Sequence, residues 1–249
     1  MDTNGLGQHI SQPFNEELER VRNHVLAMGG IVEEQISQAV AALVNADGSL
    51  GENVAHKDFQ VDRMEVVIDE ECTRILARRQ PAAGDLRLVL AIIRAITDLE
   101  RMGDEAEKIG RMAASLAEME RPPAGYPEID TLGSHALVML RDALDAFARM
   151  DAEAALRVAH EDLKVDREYE AIIRQCITFM MEDPRTIRRV LNIIWCARAL
   201  ERIGDHAKNV AEHVIYLVRG HDVRHRTLEE MEQVVGVASG SRGSNDHSA

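Results

Sequence analysis

The sequence predicts an all-α protein built as two tandem three-helix bundles related by internal duplication. Three observations carry that expectation. The first is repetition: VAHKDFQVDR (residues 54–63) returns as VAHEDLKVDR (158–167), and LERMGD (99–104) returns as LERIGD (200–205). A period near 100 residues is too long for a solenoid unit and fits two domain-sized halves. The second is composition. Hydrophobic residues make up 45 % of the chain but aromatics only 3 %, so Ala, Leu, Ile, Val and Met must form the core, which suits helix packing better than an aromatic-rich sheet. The third is that long segments repeat their apolar residues at helical spacing.

Residues 1–12 form a polar lead-in. From Phe14 to about Val44 the apolar positions Leu18, Val21, Val25, Met28, Val32, Ile36, Val40 and Leu43 mark a first helix, which Gly29 and Gly30 weaken without ending. Residues 45–51 are turn-like, and a second helix runs on to Arg79. Pro81 and Gly84 punctuate the chain before a third helix over about 85–119. RPPAGYPEID (121–130) reads as the linker between the halves. A fourth helix over about 132–150 answers the first. Asp151 caps a fifth that ends near Met181, and Asp183 followed by Pro184 starts a sixth, which continues to about Val218. Beyond Gly220 a short helix around 228–234 precedes a Gly/Ser-rich tail expected to be disordered. The divisions are therefore 1–120 for the first bundle, 121–130 for the linker, 131–220 for the second bundle and 221–249 for a C-terminal extension.

Charge and cysteine usage narrow the function. A formal net charge of −14 argues against a nucleic-acid surface and against direct adhesion to anionic lipid. It fits a cation binder, a partner of basic surfaces, or ordinary solubility. The first fifteen residues do not resemble a signal peptide and no apolar run approaches the roughly 20 residues of a membrane span, so a cytoplasmic location is expected. Cys72, Cys176 and Cys196 form no CxxC pair. The first two occupy matched repeat positions and read as small core residues.

The duplication also acts as an internal control on the acids. Carboxylates four apart share a helix face, but among 43 acidic residues in 249 that spacing alone is weak evidence. Between the copies, Glu65 becomes Tyr169, Asp69 becomes Ile173, Glu70 becomes Arg174, Asp98 becomes Ala199 and Glu107 becomes Lys208. Asp58 and Asp62 persist as Asp162 and Asp166, and Glu100 and Asp104 persist as Glu201 and Asp205. Each half thus keeps one i,i+4 pair on its second helix and one on its third. Like charges at this spacing destabilise a helix by a few tenths of a kcal/mol, and a bridging multivalent cation would reverse that sign. All-oxygen ligation points to a hard or borderline ion such as Mg²⁺, Mn²⁺, Ca²⁺ or iron. The repeated Arg63, Arg167, Arg101 and Arg202 offer the alternative that the acids are simply salt-bridged. Gly103 and Gly204, each one residue before the aspartate, imply close approach there, either to a ligand site or at a tight helix crossing. His56 and His160 point away from the aspartates and suit a capping or surface role. His206 is at most an accessory ligand in one half.

The two E-R-[MI]-G-D segments, the D-x-x-x-D segments upstream, residues 14–36 and GDHAKNVAEHV (204–214) together resemble the PhoU family of phosphate-transport regulators, over roughly residues 10–217. The resemblance implies multinuclear clusters of divalent or trivalent metal ions (iron, Mn, Mg or Zn), held by Asp58, Asp62, Glu100 and Asp104 in one half and by Asp162, Asp166, Glu201 and Asp205 in the other. It also implies a non-enzymatic negative regulator of phosphate uptake and phosphate-starvation signalling, a homodimer that contacts the ATPase of the phosphate ABC transporter and a phosphate-sensing histidine kinase. Nucleic acid is not an expected partner, and the membrane is reached only through these proteins. Two alternatives stand beside it: a carboxylate-bridged dimetal enzyme in a helical bundle, and a plain helical scaffold without metal. The dimetal enzymes use a Glu-x-x-His motif, and no Glu of this chain has His three residues on.

Overall fold

A computed structural model describes residues 12–120 and 125–236; the N-terminal lead-in and the Gly/Ser-rich tail, with the disorder expected of it, lie outside them. The described residues are helical with no strand. The order is α1 (Gln12–Asn45), α2 (Gly48–Lys57), α3 (Phe59–Arg79), α4 (Ala83–Ala117), α5 (Pro127–Arg149), α6 (Ala152–Glu182), a 3₁₀ turn (Pro184–Thr186), α7 (Ile187–Arg219) and α8 (Leu228–Val235). No helix among them is long and apolar enough to cross a membrane.

Every apolar position that marked the first helix is buried, from Leu18 through Leu43. In the first half α1, α2 with α3, and α4 pack on one another, and in the second half α5, α6 and α7 do so. The halves meet where α4 packs along α7 and α1 along α5, so one continuous core serves both. All three cysteines are free and buried within it.

The duplication shows in the turns. Ala46 and Met150, 104 residues apart, both adopt left-handed backbone, with φ of 55° and 53°. In both, the next amide closes the helix end: Asp47 N donates to Ala42 O at 2.9 Å, and Asp151 N to Ala146 O at 3.0 Å. The same aspartates then cap the following helix. Asp47 accepts from Leu50 N, and Asp151 from Glu153 N and Ala154 N, each cap being worth about 1 kcal/mol. Asp183 accepts from Arg185 N at the start of the 3₁₀ turn, as its pairing with Pro184 foretold.

Boundaries differ from expectation at three places. The helix after Asn45 begins at Gly48 rather than past Gly51, because Asp47 caps it. α5 begins at Pro127, inside the expected linker, since proline at the first helical position suits that start. The expected single second helix is interrupted at Asp58, a single turn residue that keeps right-handed dihedrals (φ −55°, ψ −36°). α2 is drawn against α4 by two glycines. A methyl on Gly51 would lie 2.5 Å from Gly110 O, and one on Gly110 would lie 2.7 Å from Gly51 O. The equivalent positions of α6 and α7 are Ala155 and Ala211, which forbid that approach, and α6 runs unbroken through Asp162.

Candidate metal centre

Asp58 sits between α2 and α3 and faces α4 at Gly103. Asp58, Asp104 and Glu107 each offer a carboxylate oxygen, and these oxygens lie within 4.8 Å of one another. Asp58 and Asp104 are expected members. Glu107 is not: the comparison of the two copies set it aside because its counterpart is Lys208. One turn beyond Asp104, it closes the same face.

The other two expected residues of this half stand around the group. Asp62 is exposed on the first turn of α3. Glu100 lies beside Arg101, whose guanidinium reaches Glu100 Oε2 at 3.5 Å and Asp104 Oδ2 at 3.4 Å. Burial, joined by the charges of Asp62, Glu107, Asp104 and Glu100, pushes the Asp58 carboxyl up to about 6. Burial and Asp104 also raise Glu100.

The floor of this site was not anticipated. Gln35 on α1 is 5 % exposed, and neither its amide nitrogen nor its oxygen has a hydrogen-bond partner. A methyl added at Gly103 would lie 3.1 Å from Asp58 Oδ1, 3.4 Å from Val61 Cγ1 and 3.5 Å from Gln35 Oε1. The glycine therefore leaves room for Val61, as at a close helix crossing, and for two oxygens beside it. An orphaned buried amide costs about 1–3 kcal/mol, and a cation held by hard oxygen donors would offset it. The donors present fit such an ion.

The second half gathers its acids differently. Asp162 is 2 % and Glu201 8 % exposed, with Asp166 and Asp205 half-buried. Lys208 Nζ donates to Asp162 Oδ2 at 2.6 Å, and Arg198 pairs with Glu201 Oε1. Burial with the neighbouring Asp205 lifts Glu201 to about 7. Burial with Asp162 raises both Asp166 and Asp205. Here Gly204 faces Val165 Cγ1 at 3.2 Å and Met139 Sδ at 3.6 Å, so the helix-crossing reading holds for this glycine. Among the described residues, only the first half brings three carboxylates within mutual ligand distance.

Of the four repeated arginines, only Arg101 pairs with expected ligands. Arg63 stacks over Phe59 at 5.0 Å, Arg167 donates to Leu163 O, and Arg202 reaches Glu105 at 2.8 Å. His56 and His160 do lie on the surface, against Glu52 O and Glu232 respectively. His206 is turned away from the acids. It joins Asn209 and His213 of α7 around Asp98 of α4, at 2.9, 3.0 and 2.9 Å. Burial alone would raise Asp98, but these three hydrogen bonds outweigh it and hold the carboxyl at about 2.

Fold and site together define a class: an all-α, internally duplicated protein whose paired bundles each set acidic residues of the second and third helices against one another. Comparison with known proteins makes that specific. A family profile described as "PhoU domain" matches residues 25–113 and again 129–214. A phosphate-specific transport system accessory protein PhoU homolog of Pseudomonas aeruginosa is 57 % identical over 235 residues, 94 % of this chain and 97 % of that one. Its namesake in Escherichia coli K12 is 48 % identical, over 94 % of this chain and 97 % of that one. The crystal structure of PhoU from P. aeruginosa superposes with a TM-score of 0.81 at 59 % identity, covering 84 % of this chain and all of that one. The phosphate transport system regulatory protein PhoU of Streptococcus pneumoniae gives 0.78 at 30 %, covering 84 % of this chain and 99 % of that one. The chain belongs to the PhoU family.

Proposed function

We propose that this protein is a cytoplasmic, metal-binding, non-enzymatic negative regulator of phosphate uptake and phosphate-starvation signalling. It acts by contact with the ATPase of the phosphate ABC transporter and with the phosphate-sensing kinase. Family membership supports the phosphate-transport role, since the relatives are named as accessory and regulatory proteins of that system. The observation that supports a metal ion is the convergence of Asp58, Asp104 and Glu107 over the unpartnered Gln35. Those residues would hold the ion, and the ion would supply positive charge to a face that otherwise repels itself. Ile187, Leu191 and Trp195, exposed at successive turns of α7 with Arg188 and Arg198 among them in the sequence, support protein contact.

The test is genetic. A deletion strain grown at high phosphate should derepress alkaline phosphatase. Wild-type protein should restore repression, and the Asp58→Asn, Asp104→Asn, Glu107→Gln triple variant should restore it poorly at equal protein level. Continued repression in the deletion strain would overturn the regulatory reading. Full rescue by the triple variant would overturn the part assigned to the metal.

A further inference from the structure

We infer that Lys208 is the built-in cation of the second repeat, so that this chain binds metal through its first repeat alone. The inference rests on the metal-binding reading above and departs from the two equivalent sites that symmetry implies. Two matched positions have diverged together: Glu107 of the first repeat is Lys208 in the second, and Gln35 is Met139. Val61 packs on Gly103 as Val165 packs on Gly204, but beside Gly103 stand the Asp58 and Gln35 oxygens, whereas beside Gly204 stands the Met139 sulfur. Both changes remove a hard oxygen donor, and one replaces it with a positive charge.

Geometry places that charge where an ion would sit. Lys208 Nζ lies 2.6 Å from Asp162 Oδ2, a carboxylate with almost no access to water. A second cation bound to the same carboxylate would stand against a fixed ammonium within a few ångströms, in a partly buried setting where like charges are poorly screened. Asp166 and Asp205 also lie in the field of this ammonium. Asp162 Oδ1 and Glu201 Oε2 remain buried without partners. The second set thus keeps free oxygens, and the lysine is what stands between them and a metal ion.

The experiment measures Mn²⁺ bound to the full-length protein by equilibrium dialysis and elemental analysis, with circular dichroism checking that each variant is folded. The Asp58→Asn, Asp104→Asn, Glu107→Gln variant should lose at least tenfold in bound Mn²⁺, while Asp162→Asn with Asp205→Asn should leave it unchanged. Lys208→Glu, which restores the residue of the first repeat, should about double the bound Mn²⁺. Lys208→Gln, a milder change, should also raise it if the glutamate variant does not fold. A halving of bound metal by the second-repeat variant would overturn the inference, as would no gain from either lysine substitution. Metal in Lys208→Glu but none in wild type would uphold the role of Lys208 and overturn the first-repeat site. No metal in any variant would overturn both.

Discussion

Gln35 carries two polar atoms into a helix stripe that is otherwise aliphatic, between Val32 and Ile36. Replacing it with methionine, the residue at the matched position of the second half, removes an unsatisfied buried amide while nearly conserving volume. Gln35→Met should therefore stabilise the metal-free protein by about 1–2 kcal/mol in urea unfolding, and should shrink the rise in Tm that Mn²⁺ gives to wild type. An unchanged Mn²⁺ response would show that the amide plays no part in the site. The sequence made Asp58 and Asp104 legible because both survive duplication. It hid Glu107 for the same reason, since a filter that demands repetition discards whatever makes the two halves different. Gln35 had its own signal, a lone amide at a core position of an amphipathic helix, but its meaning depended on knowing that Gly103 of α4 lies opposite.

Among the helices, α1 and α5 meet through an exchange of glycine and aliphatic side chain. A methyl on Gly29 of α1 would lie 2.6 Å from Leu144 Cδ2, and a methyl on Gly133 of α5 would lie 2.7 Å from Val40 Cγ2. Leu144 is the freer of the two to shift, while Val40 is β-branched and stiff at χ1. Gly133→Ala should cost about 2–3 kcal/mol and Gly29→Ala about 1 kcal/mol less, measured by urea unfolding at neutral pH. Equal costs would mean that the interface yields by backbone movement instead. Helix order and most boundaries were legible from periodicity, capping aspartates and prolines, but one expected helix is two. The break at Asp58 was not, since the close approach of Gly51 and Gly110 in the preceding helix joins residues far apart in sequence that give no local signal of meeting.

At the scale of the whole molecule, the halves are held by α4 against α7, with Asp98 as the polar centre of that contact. Its counterpart is Ala199, so repetition gives no signal for it, yet a residue that joins two halves needs no equivalent in each. Asp98→Asn leaves His206 and His213 facing a neutral amide and should cost about 3 kcal/mol at pH 7. The sign with pH follows from a folded-state pKa of about 2, below the ordinary value of 3.8: the aspartate contributes fully above pH 3.8, and its contribution fades as pH falls through 2. The gap in stability between wild type and Asp98→Asn should therefore persist down to about pH 4 and narrow below it. A gap that is already closing at about pH 5 would mean that these hydrogen bonds do not hold the aspartate below its ordinary value. The exchange between α1 and α5 has a wider meaning. Gly29 and Gly133 are matched positions, as are Val40 and Leu144, so residue i of one half meets residue j of the other, and j meets i. That reciprocity is the signature of an isologous two-fold interface, here written into a single chain. The molecule has the form of a homodimer of three-helix subunits that gene fusion made permanent, after which each former subunit was free to change alone.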